Sequence, residues 1–67
     1  MIVKVQRPLG AVSLPWLVYA EGRRHMQRFS PPAQLIRAFG DTVKRYYEAD
    51  LIKGRFTLVR EVEEQPW

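Results

Sequence analysis

Residues 40–62 read GDTVKRYYEADLIKGRFTLVREV, and the fold turns on whether their first half is helix or strand. Val43, Tyr46, Tyr47 and Leu51 continue, at helical spacing, the apolar face of Leu35, Ile36 and Phe39 just upstream. One helix from Pro31 to Leu51 would follow, with Gly40 tolerated inside it at a cost of about 1 kcal/mol. The alternative stops the helix at Gly40, a natural C-terminal residue for a helix. Val43 to Leu51 is then a strand carrying Tyr47, Ala49 and Leu51 on one face. Arg55 to Val62 returns beside it around a turn at Ile52 to Arg55, centred on Lys53-Gly54. Leu51 opposite Phe56 and Ala49 opposite Leu58 give that hairpin a consistent apolar face. Tyr46-Tyr47 and the run from Phe56 to Val59 suit strands, and Gly40-Asp41 is a clear break, so the residues favour the hairpin.

Upstream, Ser30-Pro31-Pro32 signals a helix start, with serine as cap and proline at the first helical position. Before it, residues 16–30 read WLVYAEGRRHMQRFS, an apolar arm and a basic arm joined at Glu21-Gly22. A two-residue loop there sets Leu17 opposite Met26 and Val18 opposite His25. Leu17, Tyr19, Met26, Arg24 and Arg28 then share one face. Trp16, Val18, Ala20, His25, Gln27 and Phe29 share the other. Neither face is purely apolar, which leaves room for a different loop length. The first strand spans Met1 to Gln6, with Met1, Val3 and Val5 on one side and Ile2, Lys4 and Gln6 on the other. The sequence thus predicts a small α+β domain over residues 1–67. Its order is β-β-β-α-β-β, an antiparallel sheet with one short helix packed on a face.

Such a chain is close to the lower size limit for folding alone, since only about 60% of the unfolded surface is buried at this length. It has no cysteine to staple it and a single histidine, which argues against disulfides and a zinc site. Apolar residues make up 46% of the sequence, enough for a core and too many for a disordered chain. The apolar runs fall short of the ~20 residues that cross a bilayer. Residues 1–15 carry Lys4 and Arg7 without a long apolar centre, unlike a secretory signal. A cytoplasmic protein that does not engage membranes is expected.

The net charge is +4, and arginine outnumbers lysine eight to three. This balance favours acidic partners, and guanidinium groups suit planar, bidentate contacts. Arg23, Arg24, His25 and Arg28 lie on the first hairpin, and Lys44 and Arg45 can join them, interleaved with Tyr19, Tyr46 and Phe29. These six basic residues are the candidate nucleic-acid contacts: cations neutralise phosphates, and aromatic rings stack unpaired bases at about 1–3 kcal/mol each. The competing reading is a solvated edge that blocks strand-to-strand aggregation.

Catalysis has weaker grounds. His25 would need an orienting carboxylate and a nucleophile, and no Ser-His-Asp spacing, phosphate loop or HExxH accompanies it. Glu48 and Asp50 would sit about 7 Å apart on one strand face. They read better as counter-charges to Lys44, Arg45 and Arg55 than as metal ligands. No cofactor, metal or enzymatic activity is expected. The last residues, Gln65-Pro66-Trp67, end on a tryptophan placed to fold back over an apolar edge.

The segments WLVYA at 16–20, Arg23-Arg24-His25 and Gln65-Pro66-Trp67 resemble a group of short bacterial proteins associated with mobile genetic elements. The resemblance covers most of the chain and implies a short helix followed by an aromatic-rich hairpin. It implies no activity. Related sequences place another aromatic in the final hairpin, where this chain has Phe56. The expected function is a small non-enzymatic binding module that docks on a protein partner or on a second copy of itself. The alternative is nucleic-acid binding through the basic and aromatic hairpin surface.

Overall fold

The computed structural model describes residues 1–8, 15–23 and 26–67, with the Arg23 side chain outside that description. Arg24 and His25, two of the predicted contacts, lie outside the described residues. Five strands form one antiparallel sheet: β1 (Ile2–Gln6), β2 (Trp16–Ala20), β3 (Met26–Phe29), β4 (Lys44–Ile52) and β5 (Arg55–Val62). One short helix, α1 (Ala33–Phe39), connects β3 to β4. The fold is therefore α+β with an antiparallel sheet. The order along the chain also includes a 3-10 turn at Glu21–Arg23 that the sequence reading lacks. Across the sheet the strands run β3-β2-β1-β4-β5. This places β4 beside β1 after a long connection, a Greek-key arrangement.

The second hairpin folds as its residues predict. Leu51 faces Phe56, Ile52 faces Arg55 and Ala49 faces Leu58. Lys53 and Gly54 both take positive φ, 51° and 79°. Two such residues make the turn whose twist matches the flanking strands. Further along, Glu48 faces Arg60 while Ala49 faces Leu58, so Val59 is the extra residue of a β-bulge. The bulge shifts the alternation of β5, so that Arg60 shares the face of Glu48 and Glu61 that of Tyr47.

The first hairpin differs from expectation. Leu17 faces Arg28, Val18 faces Gln27 and Tyr19 faces Met26. The register is two residues away from that of a two-residue loop, because the 3-10 turn, with Gly22 at φ 80°, occupies the corner. A shift of two preserves the side-chain period, so the expected division between the two faces survives for the described residues, Trp16 to Ala20 and Met26 to Phe29. The helix is also shorter at its start. Pro32 stands at its N-cap with extended backbone, φ −67° and ψ 159°, and no side chain caps it. Ser30 and Pro31 precede the helix, because the residue before a proline is pushed out of the helical region. The helix ends at Phe39, and Gly40 turns the chain with φ 53°.

The covered face of the sheet holds the core: Val3, Val5, Val18, Ala20, Tyr47, Ala49 and Phe56, with Phe39 inserted from α1. Ile36, expected on the buried side of the helix, is exposed. Trp16 meets the Phe39 ring edge-on at 4.9 Å between centroids. Arg45 also points to this side. Its guanidinium lies 5.6 Å from the Phe39 ring centroid and is bonded to Glu61 at 3.0 Å. Tyr47 is buried beside them. Burial, then the Glu61 carboxylate, pushes its hydroxyl pKa up, while Arg45 pulls it down.

Each neighbouring pair in the sheet is antiparallel, so β3 and β5, four steps apart, run parallel. They meet at one end through a side chain. The Gln27 amide donates to the Gly54 carbonyl, and its oxygen accepts from the Phe56 N–H at 3.3 Å. A backbone strand parallel to β5 would bond the same two groups flanking Arg55. Gln27 thus closes the curled sheet toward a barrel. Gln27→Ala should leave the half-buried Phe56 N–H unsatisfied and cost about 1–2 kcal/mol. Hydrogen exchange checks this: the Phe56 amide should exchange faster in the variant while amides of the β1–β4 ladder change little.

A candidate nucleic-acid interface

The face of the sheet opposite α1 carries the functional candidates, and the strand registers arrange them in rows. One row runs Met26, Tyr19, Lys4, Tyr46 and Val62 across all five strands. The next runs Arg28, Leu17, Gln6 and Lys44. Every charged residue in these two rows is basic. The row on the other side of Tyr46 contains Glu48, which is paired with Arg60 at 2.9 Å. This corrects the expectation that Glu48 balances Lys44, Arg45 or Arg55. The bulge at Val59 is what brings Arg60 opposite Glu48 instead.

Lys4 stands at the centre of this surface. Its ammonium lies 5.3 Å from the Tyr19 ring centroid and 6.0 Å from that of Trp67. Both distances fall within cation–π range. Lys44 approaches Tyr46 at 6.0 Å. Trp67 reaches this face because the last residues fold back across the sheet. It meets Tyr46 edge-on at 5.4 Å, and the Tyr46 hydroxyl donates to the Trp67 carbonyl. Trp67 therefore covers the middle of a sheet face, where an apolar edge was expected. Tyr46 is 2% exposed beneath it, which leaves Tyr19 and Trp67 as the half-buried rings of the surface. Trp67→Ala removes an edge-to-face pair worth about 0.5–1.5 kcal/mol beyond the area it buries. A drop of several degrees in melting temperature, followed by calorimetry, is the expected result.

Of the six predicted contacts, Arg28 and Lys44 reach the open face and are exposed. Arg45 does not. It neighbours Lys44 on β4, and alternation sends it to the covered face, where Glu61 neutralises it. Phe29 is likewise turned to the core by its place beside Arg28. Lys4 and Trp67 are additional members. The alternation of Met1 to Gln6 already put Lys4 opposite Val3 and Val5. Trp67 had no such local signal, since its contacts are far away in sequence. The assembled surface offers cations for phosphates and aromatic faces for bases on one rigid sheet. Among the described residues no helix is long and apolar enough to cross a membrane. Compared with known proteins, the chain gives no significant match to a family model, a curated protein or a solved structure.

Proposed function

We propose that this chain is a small non-enzymatic binding module that takes single-stranded nucleic acid on its open sheet face. The observation that carries this reading is Lys4 held between the rings of Tyr19 and Trp67, within two rows whose charges are all positive. A duplex offers neither stacking face to such rings, whereas an unpaired base does. The β-β-β-α-β-β connectivity adds support by analogy of topology alone. A five-stranded, partly open Greek-key barrel is the architecture of the oligonucleotide- and oligosaccharide-binding fold. The test is fluorescence anisotropy with labelled oligothymidine and with duplex DNA at low and at physiological salt. Single-strand binding that weakens with salt is expected, and its absence at low salt removes the reading.

A second reading is a protein-interaction module, as an accessory protein of a mobile element would be. It is favoured by an apolar cleft of about 560 Å³ between α1 and β5, lined among others by Pro32, Leu35, Ala38, Phe56 and Leu58. An extended apolar segment of a partner would lie along β5, an edge strand, and add to the sheet. Pairing of two copies is the alternative occupant, and light scattering on the purified chain separates the two.

A further inference from the structure

We infer that the seam between β3 and β5 is a phosphate-binding site. The seam is a cleft of about 580 Å³ whose lining includes Arg28, Ser30, Gly54 and Arg55, with the Gln27 amide bridging its two sides. Among the described residues, no carboxylate lines it. The pair stands out because both arginines line one cleft. Of the other described arginine side chains, Arg45 and Arg60 are neutralised by Glu61 and Glu48, Arg7 bonds the Gly40 carbonyl, and Arg37 stands alone on α1. Among the described residues, Arg28 and Arg55 have no ion-pair or side-chain hydrogen-bond partner. Both are exposed. Asp50, the carboxylate nearest to Arg55 along β4, faces Thr57 and makes no ion pair.

Two guanidinium groups and a hydroxyl around one cleft supply many donors and no acceptor charge, which fits a group with several anionic oxygens. Arginine presents its donors in a planar fork suited to phosphate. The cleft also continues the open face, because Arg28 belongs to the row that runs through Leu17 and Gln6 to Lys44. A single strand with bases on Tyr19 and Trp67 would pass its backbone over β3 and into the seam. The identity of the ligand as a phosphodiester rests on the nucleic-acid reading; the anion site itself rests on the two arginines.

The test uses the whole chain and inorganic phosphate. Titration should move the side-chain Nε–Hε resonances of Arg28 and Arg55 and the Gly54 amide, while chloride at equal ionic strength should not. In the Arg28→Gln/Arg55→Gln variant the Gly54 amide shift should vanish. For oligothymidine, Arg55→Gln alone, which spares the open-face row, should lower the slope of log affinity against log salt by about 0.7, the value of one lost phosphate contact. Oligothymidine bound by the Arg55→Gln variant with an unchanged slope would overturn the seam and leave the sheet-face reading intact. Phosphate shifts without any oligothymidine binding would keep the anion site, assign it to a free phosphate or phosphate ester, and end the nucleic-acid reading. The absence of phosphate shifts at both arginines would overturn the site.

Discussion

Phe39→Ala should leave the chain without a cooperative unfolding transition. Phe39 is 1% exposed and is the only residue of α1 to be buried. Its ring meets Trp16 edge-on and lies beneath the Arg45 guanidinium, so it joins the helix to β2 and β4 at once. Truncating a buried phenylalanine costs about 3–5 kcal/mol. A core of this size supplies about 3–5 kcal/mol in all. The loss is therefore as large as the whole stability, with no disulfide in reserve. Phe39→Leu keeps an aliphatic plug and should retain a cooperative transition at lower urea. Urea titration followed by circular dichroism reads both. A Phe39→Ala midpoint equal to that of the parent would mean that α1 contributes little to the core.

The Lys4→Gln/Arg28→Gln/Lys44→Gln variant should lose most of its affinity for single-stranded DNA. If each cation neutralises one phosphate, removing three lowers the salt slope by about 2. Extrapolated from molar salt down to a tenth of that, this is roughly a hundredfold in Kd. Arg28 and Lys44 are exposed, so their replacement should spare the fold; a thermal melt checks Lys4, which contacts two rings. Arg37→Gln is the charge control. It is exposed on α1, on the far side of the sheet, and should leave the slope unchanged. An equal loss in this control would point to net charge instead of a defined surface.

The two hairpins show what local sequence can and cannot carry. Gly54 has the backbone freedom that a tight turn requires, Lys53 takes a positive φ beside it, and the apolar pairs on either side agree on one register. Glu21-Gly22 looks similar, yet the chain there makes a 3-10 turn, and the pairing moves by two residues. The faces were legible all the same, since any even shift conserves them. The bulge was not, because Leu58-Val59 is apolar on both sides of it and nothing in the run marks which residue is extra.

The site was legible in part for the same reason. Arg28, Lys44, Tyr19 and Tyr46 follow from period-two alternation. Arg45 and Phe29 were assigned by proximity in sequence to Lys44 and Arg28, although adjacent strand residues point to opposite faces. Trp67 is placed by contacts with Lys4 and Tyr46, which no local pattern encodes.

The most direct test of the nucleic-acid reading is a map of amide and indole shifts in the labelled chain, titrated at low salt with oligothymidine. Binding on the open face predicts that the largest changes fall on Lys4, Tyr19, Arg28, Lys44 and the Trp67 indole. No change, or changes confined to α1 and the cleft beside Leu35 and Leu58, would contradict it.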